Sequence, residues 1–138
     1  MARIDTGAGL GIVLCVRNRR KVSEMNDREM LEMAAKAAGL EVVFSGDECF
    51  LAELHGNPSF LFIKRWNPRD DDGDALRLAV KLRMEIDHNH PADYAPWVSV
   101  RAQGERNCSV VEFDMEQERM GATRLAIVRA AAEIGRSM

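Results

Sequence analysis

Apolar positions recur at helical spacing after Met25 and at alternating spacing after Gly39, which predicts helices interleaved with short strands. Asn26 stands as a helix cap with Glu29 three residues on, the two halves of a capping box. Met30, Met33, Ala34 and Ala37 then share one face, and Gly39 is the expected stop. Three runs rich in apolar, aromatic and β-branched residues follow at 40–45, 49–54 and 59–66. Gly46-Asp47 and Gly56-Asn57-Pro58 separate them as turn signals. Loops this short join antiparallel neighbours, so the three runs read as a meander.

Asn67-Pro68 ends the third strand, and an acidic run leads into a second helix over 74–83. On that helix Ala75, Leu78, Ala79 and Leu82 form the apolar stripe, with Asp74, Arg77 and Lys81 on the other side. Residues 84–88 continue as a strand. Pro91 and Pro96 keep 90–96 irregular, and 97–102 and 108–114 alternate like half-buried strands. A final helix over 119–136 is expected to bury Thr123, Ile127, Ala130, Ala131 and Ile134. The fold class is therefore α+β in the order α-βββ-α-ββ(β)-α, with a mainly antiparallel sheet and helices packed on it.

At 138 residues, with 46% hydrophobic and 30% charged side chains, the chain has room for one core and has an ordinary globular composition. No apolar run reaches the roughly 18 residues of a membrane span. The formal net charge of −3 is unevenly spread. Residues 1–24 hold Arg3, Arg17, Arg19, Arg20 and Lys21 against Asp5 and Glu24, so residues 25–138 carry a net −6. An acidic body does not gather phosphate backbones, which leaves nucleic-acid contact to the basic N-terminal tail alone. Composition, charge and helix start all change near residue 24. Residues 1–24 are read as an extension, disordered or an over-extended gene start, ahead of a single domain at 25–138. Cys15, Cys49 and Cys108 are too few and too widely spaced for a disulfide framework or a four-cysteine zinc site, which fits a reducing cytoplasm.

Four constellations invite chemistry. Asp5-Thr6-Gly7 imitates an aspartic protease, but only three residues precede Ile4, too few for the strand that must hold such a carboxylate. Asp70-Asp71-Asp72-Gly73-Asp74 invites calcium. With Gly73 at the sixth position of a calcium loop, Pro68 and Ala79 fall at the first and twelfth, where carboxylates are needed, so the run reads as a helix cap with Asp72 or Asp74 in that role. Asp87-His88-Asn89-His90 alternates donors that could clasp a metal, with Asp70, Asp72, His55 or Asp93 completing the set. Trp66, Tyr94 and Trp97 flank the two irregular loops, either as core plugs or as the aromatic wall of a partner surface. No serine or cysteine has a defined base beside it, so nucleophilic catalysis has no support and no cofactor is implied.

Two stretches carry a resemblance. Trp66-Asn67-Pro68-Arg69-Asp70-Asp71-Asp72-Gly73-Asp74, continuing as Ala75-Leu76-Arg77-Leu78-Ala79-Val80-Lys81-Leu82, resembles the central signature of small phage and prophage proteins with the phage α/β/α (ABA) sandwich domain. Ala122-Thr123-Arg124-Leu125-Ala126-Ile127-Val128-Arg129-Ala130-Ala131-Ala132-Glu133-Ile134-Gly135 is similar to their closing helix. The resemblance covers residues 25–138. It implies an α/β sandwich and a phage or bacterial cytosol, with no established activity to carry over. The expected function is that of a non-enzymatic accessory protein binding a phage or host protein, without a membrane. The alternatives are a small metal-dependent hydrolase centred on His88, His90 and the 70–74 loop, and nucleic-acid contact through the N-terminal tail.

Overall fold

The structure, a computed structural model, describes residues 25–54 and 61–138, with side chains described at 25–52 and 64–138. The elements run α1 (Asp27–Ala38), β1 (Val42–Ser45), β2 (Glu48–Leu54), β3 (Leu61–Arg65), α2 (Asp72–Lys81), β4 (Met84–His88), β5 (Trp97–Ala102), β6 (Ser109–Glu112) and α3 (Arg119–Ser137). A single 3-10 turn, Glu116–Glu118, leads into α3. The α+β architecture and its element order are those expected. The readings placed on residues 1–24, on His55 and on the 55–60 turn lie outside the described residues.

The strands form two three-stranded antiparallel meanders, β1-β2-β3 and β4-β5-β6. Val42 faces Leu51 in the first, while Met84 faces Ala102 and Trp97 faces Glu112 in the second. No pairing joins the two sheets among the described residues, and α2 occupies the connection between β3 and β4.

Helix α1 begins as the sequence dictates. Asn26 Oδ1 accepts from the Glu29 N–H at 2.8 Å, and the Asn26 N–H donates to Glu29 Oε1 at 3.1 Å. Gly39 ends it in the left-handed region at φ 72°, which a residue with a Cβ adopts at a cost. The buried face is Met30, Leu31, Ala34, Ala35 and Ala38, whereas Met33 and Ala37, expected inside, are half-buried.

α3 is the centre of the fold, packed against α1, α2 and the second sheet. Contacts on several sides bury Ala122, Ala126, Ile127, Val128, Ala130, Ala131, Ala132 and Gly135, a band wider than the single stripe expected. Thr123 and Ile134 are only half-buried. Beneath it β5 turns Val98, Val100 and Ala102 inward, the period-two pattern of a half-buried strand. Among the described residues no helix is long and apolar enough to cross a membrane.

Helix α2 starts two residues earlier than expected, and its cap is Asp71, not Asp72 or Asp74. The Asp71 carboxylate accepts from the Asp74 N–H at 2.8 Å. Asp74 is buried, against its expected place on the polar side. Its carboxylate accepts from the Asn67 N–H at 2.9 Å and from Arg77 at 2.8 Å, closing the corner that follows β3. Asp71→Ala should therefore cost about 1 kcal/mol, typical for a lost cap, read as a lower melting temperature. Asp72→Ala, which leaves the cap in place, should cost less.

Cys49 is free and buried. Burial, aided by Glu32 and opposed by Arg28, pushes its thiol up to about 11, so little reactive thiolate forms at neutral pH.

Candidate functional site: a cleft built around Arg119

Arg119 opens α3, where a positive charge faces the positive end of the helix dipole, so other contacts must hold it there. Its guanidinium donates to Glu116 through Nε at 2.5 Å and Nη2 at 3.1 Å, to Asn89 Oδ1 at 2.7 Å, and to the Trp97 carbonyl at 3.4 Å. Nη1 lies 2.9 Å from His88 Nδ1, and the guanidinium caps the Phe113 ring at 4.9 Å from its centroid. A guanidinium only donates, so His88 Nδ1 accepts and the ring proton sits on Nε2. One turn on, Arg124 donates to the Arg69 carbonyl at 2.8 Å and to Asp72 at 2.6 Å.

Between these two arginines, α2 and β4 lies a cleft of about 510 Å³. Ala75, Ile86 and Ile127 supply apolar lining, Leu76 and Met120 stand exposed at its lips, and Asp72, His88, Glu116 and the arginines complete the wall. A second hollow of about 620 Å³ lies beneath the 89–96 loop and shares His88, Glu116 and Arg119 with the first. That loop is braced internally. His90 N–H donates to Asp93 at 3.0 Å, Ala92 N–H to His90 Nδ1 at 3.0 Å, and Trp97 N–H to Asn89 Oδ1 at 3.1 Å.

The hydrogen bond from Arg119 holds Glu116 below the usual carboxylate range, and Glu116 in turn raises Arg119 above its ordinary value. The stabilisation from this pair is present above the usual carboxylate range and is lost as the pH falls and Glu116 is protonated. Lysine has no planar fork with which to reach Glu116, Asn89 and the Trp97 carbonyl together. Arg119→Lys should thus lower the melting temperature and speed amide exchange at Asn89 and Trp97, the partners that close the 89–96 loop. Acidification of the parent should produce the same local opening.

The structure brings Asp72 and His88 to one cleft but leaves Asp70 and His90 off its walls. Asp70 accepts from the Asn67 side chain at 3.0 Å, and His90 Nδ1 is used within its own turn. Among the described residues no three His, Cys, Asp or Glu side chains are grouped to hold a metal ion. At His88 a cation would have to displace the Arg119 hydrogen bond and sit beside a guanidinium. Trp66 is buried at 3% exposure, Trp97 is half-buried and Tyr94 is fully exposed, so of the three aromatic residues Trp66 presents no surface. Sequence reasoning passed over Arg119 and Arg124. The available signals were a basic residue at a helix start and an arginine set among small residues on the innermost helix. No family model, curated protein or solved structure matches the chain.

Proposed function

We propose that the chain is a non-enzymatic accessory protein of a phage or prophage that works by binding another protein at the Arg119 cleft. The observation that carries this reading is the pairing of an apolar interior and exposed apolar lips, Leu76 and Met120, with a charged rim already neutralised within itself. Such a surface offers an apolar anchor site with a satisfied polar surround, the pattern of a protein interface. It offers a phosphate or small anion little, because Glu116 and Asp72 already engage both arginines. The phage origin is supported by the resemblance of 66–82 and 122–135, and these two stretches meet through the Arg124 contacts to Arg69 and Asp72.

A bacterial cytosol belongs to the same proposal. The redox state of the cysteines in cells tests this part. The hydrolase alternative is tested by thermal melts of protein purified without chelator, with calcium, magnesium or zinc added and removed. A binding module shows no bound metal and an unmoved melting temperature. Stabilisation that grows with metal concentration and disappears in Asp72→Asn or His88→Ala would replace this reading with a metal-dependent one.

A further inference from the structure

We propose that the outer edge of β4 pairs with an extended, basic segment of the protein partner, which lies along β4 as an added strand and places an apolar side chain in the Arg119 cleft. This deepens the reading of the cleft and rests on it. At the two ends of the β4 to β5 ladder the Gln103 N–H donates to the Arg83 carbonyl at 3.0 Å and the Asn89 N–H to the Trp97 carbonyl at 3.2 Å. In that antiparallel register the odd-numbered residues of β4 bond to β5, so the backbone groups of Met84, Ile86 and His88 point away from the sheet. β4 is the edge of its sheet, and among the described residues nothing pairs with those N–H and C=O groups. Val110 and Glu112 of β6, at the opposite edge, are already engaged. Unpaired groups along an edge are a template for a further strand. Among the described strands β4 is also the one that lines the cleft, through the side chains of Ile86 and His88.

Charge complementarity identifies the segment. Side chains alternate along β4, with Met84 and Ile86 packed toward the core and Glu85 and Asp87 exposed on the other face of the sheet. Arg101 donates to Glu85 at 2.7 Å, whereas Asp87 has no ion pair among the described residues. Beyond His88, exposed Asp114 also has none and stands in the wall of the hollow that shares His88 with the cleft. A segment with lysine or arginine at alternate positions and an apolar residue between them fits both faces. The apolar residue opposite Ile86 shares its face and reaches the cleft, while the basic residues on either side lie beside Glu85 and Asp87. A second copy of β4 does not fit, because antiparallel pairing about Ile86 sets Glu85 opposite Asp87, like charge on like. An acidic segment meets the same repulsion.

Two pools of short synthetic peptides test this on the isotope-labelled full chain, one alternating lysine or arginine with apolar residues and the other alternating glutamate with the same residues. Amide exchange is followed residue by residue by NMR. The basic pool should slow exchange at Met84, Ile86 and His88 about tenfold or more relative to Glu85 and Asp87, whose N–H groups already bond to β5. The acidic pool should leave the edge unchanged. Asp87→Lys, at an exposed position, should weaken the response to the basic pool and admit the acidic one. Slowing of odd and even positions alike, an equal response to the two pools, or no slowing at Met84, Ile86 and His88 would overturn the proposal. A basic pool that shifts the Met120 and Ile127 signals without slowing the edge amides removes the added strand and leaves the cleft reading in place. Crosslinking from Met120 in cells judges that reading independently.

Discussion

Replacing Gly135 by alanine is expected to destabilise the protein by about 2 kcal/mol, although alanine is the better helix former by about 1 kcal/mol. A Cβ at this position would lie 1.9 Å from the Met33 carbonyl oxygen and 2.7 Å from its carbon. Both atoms belong to the α1 backbone, so no side-chain rotation relieves the overlap and one helix must move. Among the described elements the contact between α1 and α3 is the most extensive, and its facing surfaces are alanine-rich: Ala34, Ala35 and Ala38 on α1, and Ala126, Ala130, Ala131 and Ala132 in the buried band of α3. Small residues let the backbones approach closely, and that approach is what the extra methyl forbids. Gly121→Ala on the same helix is the matched control. Its Cβ would meet Arg124 at 3.5 Å, an ordinary contact, so that variant should gain about 1 kcal/mol. Denaturant melts of the two variants beside the parent read the opposite signs directly. Equal effects would show that helix propensity, not close approach, governs both sites.

Trp66→Ala should cost about 3–5 kcal/mol, the range for removing a large aromatic side chain from a core. The indole is 3% exposed within the core cluster, at the corner where β3 gives way to α2. Its backbone N–H donates to the Cys49 carbonyl at 2.9 Å, so the cavity would open beside the first sheet as well as beneath the helices. Trp66→Phe keeps most of the filling volume and should retain much of the stability. A Trp66→Ala variant that melts with the parent would return Trp66 to the list of surface residues.

These two sites also show what the sequence reveals and what it leaves hidden. Asn26, Glu29 and Gly39 bound α1 to the residue because capping is local chemistry, and the alternation over 97–102 gives β5 its observed limits. The start of α2 is ambiguous by the same chemistry, since successive aspartates at 70, 71, 72 and 74 are interchangeable as caps until the fold turns Asp74 inward. Division of the strands into two sheets depends on pairing across α2, and the breadth of the buried band on α3 depends on neighbours distant in sequence. At the site, Asp72 and His88 were visible as polar residues near irregular segments. Their convergence on Arg119 and Arg124 was not, because 31 residues separate His88 from Arg119 and 52 separate Asp72 from Arg124.

The claim that the Arg119 cleft receives a protein is tested most directly by placing a photo-crosslinking residue at Met120, on the cleft lip, in cells that carry the gene. The same probe at Glu105, on the exposed turn between β5 and β6, serves as the control. The account expects a discrete adduct with one foreign protein from position 120 alone, identified by mass spectrometry and diminished when Ile127→Glu places a charge in the cleft wall of a chain shown to remain folded. Labelling from both positions alike, or an adduct from position 120 unaffected by the altered cleft, would contradict it.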